Sequence, residues 1–304
     1  RETGQWNLAG EELDRALALR RDLPELHRER ALLFRAQGDD EAASEAYADA
    51  LDVSEEDAGL WLEYGELLLQ MGKPDGAVRA FRRVLELQPD QAVAYHRLGL
   101  ALGLVGDHEE ALEPLRKAVE LDPGSAEAHY HLAQALEALG QWGEALSTME
   151  RAAELAPEWL EARRGLARLY AAEGRLSAAL EQADRAVRLA PADAEVHREV
   201  GLLRWRHGDL DSALAALEEA IALAPAAPQL RVELAQVYEA KGWFNEAVGQ
   251  YEKVLDLAPE NALYRSLLGG LLRRAGRMEE ALQVLSEAIA RDPTCGEAYF
   301  QMGQ

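Results

Sequence analysis

The chain repeats itself every 34 residues, and this period restricts its fold more than any other feature of the sequence. Seven prolines keep the spacing: Pro89, Pro123, Pro157, Pro191, Pro225, Pro259 and Pro293. Eight glycines keep it in the same register: Gly38, Gly72, Gly106, Gly140, Gly174, Gly208, Gly242 and Gly276. An alanine follows each glycine by five residues: Ala43, Ala77, Ala111, Ala145, Ala179, Ala213, Ala247 and Ala281. Three marks in one register indicate a single structural unit that is copied along the chain.

Each mark has a physical role in a pair of helices. The glycine favours the end of a first helix, because a residue without a Cβ adopts the left-handed conformation at low cost. The alanine is small, so two helices can cross closely there. The proline cannot continue a helix, so it ends the second helix of the pair. The period therefore predicts stacked helix pairs, each of which buries its apolar face against its neighbours.

The composition agrees with helices and narrows the class of partner. Leu and Ala dominate the apolar residues and aromatic residues make up only 6% of the chain, a mixture that favours helix over strand. The chain holds 32 basic and 55 acidic residues, a formal net charge of -23. Such a chain repels nucleic acid phosphates and anionic membranes, so we expect no nucleic acid partner.

The sequence also bears on the compartment. It contains no run of about 18 apolar residues, so we expect no direct insertion into a membrane. Cys295 is the single cysteine, which allows no internal disulfide. These features favour a cytoplasmic location. They leave open a periplasmic one, or a place within a larger membrane-associated protein.

The repeated pattern resembles the tetratricopeptide repeat (TPR) family. Residues 58–91 carry the family's marks in order: Trp61, Tyr64, Gly65, Leu68, Ala77, Phe81, Val84 and Pro89. The resemblance implies an all-α fold, a right-handed superhelical solenoid of antiparallel helix pairs. Solenoids of this kind present a concave groove that binds other proteins.

The register divides the chain into repeats of a single predicted solenoid, residues 1–304. Partial repeats cover residues 1–23 and 296–304, and Gly4 belongs to the first of them. Eight full repeats start at residues 24, 58, 92, 126, 160, 194, 228 and 262. Positions are counted below from 1 to 34 within each repeat. Because both ends fall inside a repeat, we expect an excerpt of a longer solenoid or one domain of a larger protein.

No pattern of catalytic residues stands out in the sequence. It has no P-loop, no dinucleotide-binding glycine loop and none of the common zinc motifs. His27, His129 and His197 fall at position 4, where the family places a packed aromatic ring. His129 and His131 point to different helix faces, so they cannot hold one metal together. We therefore expect no enzymatic activity, no metal and no cofactor.

The resemblance places the side chains at positions 2, 5, 9, 12 and 13 in the groove. In the middle of the chain these positions predict a peptide- or partner-binding site made of Tyr130, Gln134, Arg164, Arg168, Arg198, Leu202 and Trp205. Residues 163–206 hold nine arginines against six acidic residues, within a strongly acidic chain. Arginine binds carboxylates through two parallel hydrogen bonds, and aromatic side chains supply flat apolar contacts. The alternative interpretation is that these arginines pair within the protein, with Glu161, Glu195 or Glu199.

The sequence thus favours a non-enzymatic scaffold that binds an extended peptide or a partner helix in its groove. The expected partner is a protein or peptide with acidic and apolar residues. One alternative is a recruiting or regulatory arm of a larger enzyme or assembly whose catalytic domain lies outside this chain. Another is a solenoid that associates with itself end to end.

Overall fold

The computed structural model describes residues 2–304, and the side chains of residue 6 and residues 8–304. Residue 1 lies outside what is described, and Gly4, a mark of the predicted N-terminal half-repeat, lies within the first helix of the chain, Glu2–Leu19. The first helices of the pairs are α2 (Pro24–Gln37), α4 (Ala58–Gln70), α6 (Ala92–Val105), α8 (Ala126–Ala138), α10 (Leu160–Ala172), α12 (Ala194–His207), α14 (Pro228–Ala240), α16 (Ala262–Arg274) and α18 (Gly296–Gly303). The second helices are α1 (Glu2–Leu19), α3 (Asp40–Val53), α5 (Pro74–Leu87), α7 (His108–Leu121), α9 (Trp142–Leu155), α11 (Leu176–Leu189), α13 (Leu210–Leu223), α15 (Phe244–Leu257) and α17 (Met278–Arg291).

These helices form two compact units. Unit 1 is Arg1–Pro157 and contains α1 to α9, and unit 2 is Glu158–Gln304 and contains α10 to α18. Each of the eight predicted repeat starts is the first residue of a helix. The predicted all-α fold of antiparallel helix pairs is confirmed. That residues 1–304 form a single solenoid domain stays a prediction.

The glycine of each repeat ends the first helix as its chemistry predicts. All eight have a positive φ, between 69° and 98°. At Gly208 the N–H donates to the carbonyl of Trp205 over 2.9 Å, and the next N–H, of Asp209, donates to the carbonyl of Arg204 over 3.0 Å. This pattern is the Schellman motif, which satisfies the last carbonyls of a helix and needs a left-handed residue at its centre. The turn between the two helices of a pair is therefore set by backbone chemistry.

The core of each unit is built from the same repeat positions. The residues at positions 8, 20, 24 and 27 are buried in all eight full repeats. Position 8 crosses position 24 closely, because a Cβ built on Gly99 would lie 2.3 Å from Leu115 Cγ, and one on Gly201 would lie 2.8 Å from Leu217 Cγ. The side chain at position 24 thus fills the space that a glycine at position 8 leaves. This packing fixes how the two helices of a pair meet.

Position 4 carries a hydrogen bond donor in addition to a packed side chain. In six repeats its side chain donates to the backbone carbonyl six residues earlier, in the turn that joins consecutive repeats. The donors are His27 to Arg21, Trp61 to Glu55, His129 to Pro123, His197 to Pro191, Arg231 to Pro225 and Arg265 to Pro259, with distances of 2.6–3.4 Å. Because a carbonyl only accepts, each of the three histidine rings must carry its proton on Nε2. These histidines therefore stabilise the turns that join consecutive repeats.

Candidate protein-binding surface

The first helices leave one side uncovered by their second helices, and we call this side the open face. It consists of the side chains at positions 2, 5, 9, 12 and 13. In the eight full repeats, positions 2 and 13 are exposed throughout and position 12 is half-buried throughout. Position 5 is half-buried or buried, because it contacts the next first helix. The open face is thus accessible while its chemistry varies from repeat to repeat.

The seven predicted site residues all lie on the open face, and they divide between the two units. Tyr130 and Gln134 are on α8 in unit 1. Arg164 and Arg168 are on α10, and Arg198, Leu202 and Trp205 are on α12, all in unit 2. Six of the seven side chains are half-buried and Arg168 is exposed.

Arg164 forms a two-pronged ion pair with a carboxylate on the next first helix. Its Nε and Nη2 donate to the two carboxylate oxygens of Glu199, over 2.9 and 2.6 Å. The hydrogen bond to Glu199 raises the pKa of the Arg164 guanidinium, so this guanidinium stays charged. The side chains of Arg164 and Glu199 keep 28% and 38% of their surface exposed. This pair is one that the alternative interpretation of the sequence names.

Arg198 is the counter-ion of a buried carboxylate. Its Nε and Nη2 donate to Glu233 over 2.7–2.9 Å, and its Nη1 donates to Glu195 over 2.7 Å. Only 6% of the Glu233 side chain is exposed, against 29% for Arg198. A carboxylate this buried is costly without a charged partner. Arg198 therefore stabilises unit 2, which again agrees with the alternative interpretation.

The other residues of the unit 2 site differ in how far they reach solvent. Trp205 packs on the buried cluster around Leu217 and Leu234, so only part of its ring is accessible. Leu202 lies one helical turn before it and is half-buried. Arg168 is the most exposed of the five, and it too interacts within the protein. Leu202 and Trp205 therefore present partly accessible apolar surface on a helix that also carries charged side chains.

In unit 1 the two predicted residues contact each other. Gln134 Nε2 donates to the hydroxyl oxygen of Tyr130 over 3.0 Å. The Tyr130 ring also meets the edge of the His131 ring, with centroids 5.3 Å apart. Both side chains are therefore held in one orientation on α8.

Beside them lies a histidine pair that the sequence analysis does not predict. His96 Nε2 and His131 Nδ1 are 2.7 Å apart and the two rings stack with centroids 4.9 Å apart. Burial lowers the pKa of each to about 4, so both are neutral at physiological pH. A neutral pair shares one proton along this contact, with one ring donating and the other accepting. The signal in the sequence is the spacing of 35 residues, the same as between Arg164 and Glu199.

The spacing of 35 residues joins position 5 of one repeat to position 6 of the next. It carries a third ion pair, Arg28 with Glu63, whose hydrogen bonds are 2.5–3.1 Å long. Position 5 is therefore the seam between first helices as well as part of the open face.

Unit 1 also has an exposed apolar stripe on α6. Val93 and Leu104 are 49% and 61% exposed, and Leu100 between them is half-buried. The charge of the chain is concentrated in the same unit. Unit 1 holds 15 basic and 32 acidic residues, a net of -17, whereas unit 2 holds 17 and 23, a net of -6.

Within residues 2–304, no group of three or more His, Cys, Asp or Glu side chains is arranged to hold a metal ion. Over the same residues, none of the helices combines the length and the apolar character that a membrane crossing requires.

Comparison with known proteins agrees with this architecture. The family model described as tetratricopeptide repeat matches residues 34–101, 138–201, 204–271 and 240–304. The model described as anaphase-promoting complex, cyclosome, subunit 3 matches residues 70–152. No curated protein sequence is significantly similar to the chain.

Solved structures of TPR proteins share the fold. YrrB, described as a TPR protein with an unusual peptide-binding site, is 27% identical with a TM-score of 0.53, and the match covers 66% of this chain and 99% of YrrB. PilW, a type IV pilus biogenesis factor, is 21% identical with a TM-score of 0.62, over 70% of this chain and 97% of PilW. The C-terminal part of a TPR protein from Cytophaga hutchinsonii is 15% identical with a TM-score of 0.68, over 79% and 98%. At their lower identities the last two show the fold alone. With family matches over most of its length, the chain belongs to the tetratricopeptide repeat family.

Proposed function

We propose that this chain is a non-enzymatic scaffold that binds an extended peptide or a partner helix on the open face of its first helices. One observation carries the proposal. Positions 8, 20, 24 and 27 are buried in every full repeat, whereas positions 2 and 13 are always exposed and change their chemistry from repeat to repeat. Packing does not dictate the residues at these exposed positions, so they are available to contact a partner. The peptide-binding site described for YrrB, at 27% identity, supports the same class of function.

Within unit 2, we propose that Leu202 and Trp205 give apolar contact to the bound segment and that Arg168 and Arg164 meet its acidic residues. The ion pairs of Arg164 and Arg198 give these two arginines different roles in binding. Arg164 pairs with Glu199 in a half-buried ion pair that still reaches solvent, so an incoming carboxylate can compete for its guanidinium. Arg198 contributes indirectly, because its guanidinium is engaged by Glu233 and Glu195 and holds the surface in shape.

Within unit 1, we propose that Tyr130 and Gln134 contact a bound segment through polar groups. Their mutual hydrogen bond fixes the amide of Gln134 and leaves its oxygen available as an acceptor. An amide in a fixed orientation can bind the backbone N–H of an extended chain. This contact is independent of the sequence of the bound segment.

A selection from random peptides tests the function. Displayed 12-residue peptides are selected on the full chain, and the affinity of each selected peptide is then measured by fluorescence polarisation. We expect peptides with acidic and apolar residues that bind a variant with Leu202→Ser and Arg168→Gln at least tenfold more weakly, because apolar burial and a charged hydrogen bond are lost.

The control is Arg188→Gln, which removes an exposed charge from α11, a second helix. This variant should bind the peptides as the wild type does. If selection yields no peptide that binds the folded chain, the proposed function is wrong. If the selected peptides bind the open-face variant and the wild type equally, the function stands and the unit 2 site is wrong.

A further inference from the structure

The apolar stripe of α6 has the dimensions of a helix-binding site. Val93, Leu100 and Leu104 are spaced by seven and four residues, so they lie on one face of the helix. At 1.5 Å per residue the stripe is about 16 Å long, or three helical turns. Two of its three side chains expose about half of their surface or more. Exposed apolar side chains aligned over three turns favour docking of another apolar face.

The surface shape of the stripe also suits the insertion of a side chain from a partner. Gly103 sits between Leu100 and Leu104, and a Cβ built on it would meet nothing within 4 Å. The glycine therefore leaves a notch, bordered by leucines, that opens to solvent. On the neighbouring helix α4 the equivalent position is Leu69, which is half-buried.

The helix of the stripe and its two neighbouring first helices carry a net negative charge. Their single Arg or Lys is Arg97, which lies on α6 between Val93 and Leu100 and is paired with Glu66 over 3.2 Å. Of their other glutamates, Glu63 pairs with Arg28, and Glu127 and Glu137 lie on α8 at positions 2 and 12 of the open face. Unit 1 as a whole carries 17 of the 23 net negative charges of the chain. An acidic surface of this kind attracts cations and repels acidic segments.

The histidines beside the stripe do not offset this charge. His96 lies between Val93 and Leu100 in the sequence of α6 and is 8% exposed. It is neutral at physiological pH together with its partner His131, since burial lowers the pKa of both to about 4. These two histidines therefore add no positive charge beside the stripe.

From the stripe and the charges around it we propose that unit 1 binds a basic amphipathic helix of a partner protein, whose apolar residues cover Val93, Leu100 and Leu104 and whose Lys or Arg residues meet the glutamates of α8. The proposal rests on the proposed function and names the class of partner for the unit 1 part of the open face. It also separates the two units, because the acidic peptide proposed for unit 2 would be repelled here.

The test uses the full chain and three synthetic peptides that are labelled and measured by fluorescence polarisation. The first is an 18-residue helix with leucine on one face and lysine on the other. The second has glutamate in place of lysine, and the third has the composition of the first in a scrambled order. We expect the first peptide to bind at least tenfold more tightly than either of the others, and its affinity to fall as salt is raised.

Serine substitutions locate the site without changing the net charge. Val93→Ser together with Leu104→Ser should weaken binding of the first peptide at least tenfold, because both contacts are apolar. Both side chains are largely exposed, so the variant should fold as the wild type does, which circular dichroism checks. The matched control is Leu263→Ser, which removes a leucine that is 50% exposed at the same repeat position in unit 2, and it should bind like the wild type.

Two results would overturn the inference. Equal binding of the basic, acidic and scrambled peptides would show that amphipathic basic character is not recognised. Equal binding to the wild type and to the double serine variant would place the contact elsewhere. Either result leaves the proposed function intact if selected peptides still bind the open face. A failure of that selection, in contrast, removes the proposed function itself.

Discussion

Removing the guanidinium of Arg198 should destabilise unit 2 more than removing the carboxylate with which it pairs. In Arg198→Val, Glu233, whose side chain is 6% exposed in the wild type, keeps only a hydrogen bond of 3.4 Å from Gln229. Leaving one charge of a buried pair without its partner costs about 3–5 kcal/mol. In Glu233→Leu, the remaining Arg198 side chain is 29% exposed and still pairs with Glu195, so we expect a cost of about 1 kcal/mol.

The chain itself contains an apolar version of this contact. At the next seam of unit 2, positions 5 and 6 are Val232 and Leu267. The double variant Arg198→Val with Glu233→Leu copies that combination, and we expect it to be within about 1 kcal/mol of the wild type. The coupling between the two positions should therefore be at least about 3 kcal/mol.

Urea unfolding followed by far-UV circular dichroism measures these differences. Hydrogen exchange over α12 and α14 supplies a local measurement, since a repeat protein can unfold in parts. A cost for Arg198→Val no greater than that for Glu233→Leu would contradict this prediction. A double variant as unstable as Arg198→Val would contradict it too.

Three further predictions follow from single contacts. Wild-type stability should fall as pH drops from 6.5 towards 4, by roughly 3 kcal/mol for each imidazole. The reason is that these histidines become protonated in the unfolded chain over this range, whereas buried His96 and His131 stay neutral in the folded protein. Urea midpoints across that range should lose this part of their pH dependence when the pair is replaced by valine and leucine. Gly99→Ala should destabilise by about 1–3 kcal/mol because its Cβ meets a buried leucine, whereas Gly103→Ala should be neutral or stabilise by up to about 1 kcal/mol, as thermal melting would show. Trp61→Phe should lower the free energy of unfolding by about 1 kcal/mol, since it removes a donor to a turn carbonyl, and Trp61→His should cost less in the same urea experiment.

The helices and their boundaries could be predicted because every signal for them is local and recurs. The glycines at the turns, such as Gly208, and the alanines at the crossings act within one helix pair. Agreement in eight copies removes the ambiguity that a single glycine or alanine would leave. The repeat starts at residues 24 to 262 therefore coincide with the first residues of helices.

The candidate site was less predictable because its side chains are paired between repeats. The sequence places Arg164 and Arg198 on the open face, where the structure also has them. It does not reveal that Glu233 is buried and takes Arg198 as its counter-ion. The pairing of His96 with His131 depends on a spacing of 35 residues rather than 34, because position 5 meets position 6 across the seam. Only the packing of neighbouring helices shows that offset.

The seams at position 5 bear on how a chain of near-copies assembles correctly. Repeats that resemble one another can dock onto the wrong neighbour while the chain folds, which is a characteristic error of repeat proteins. The seams of this chain are of three kinds: guanidinium with carboxylate at Arg28, Arg164 and Arg198, imidazole with imidazole at His96, and aliphatic side chains at Val232. A repeat that docked at a seam of another kind would bury a charge without its opposite or place an imidazole against an aliphatic side chain. The mixture of seams therefore disfavours many incorrect pairings of repeats, in addition to the constraint of chain connectivity.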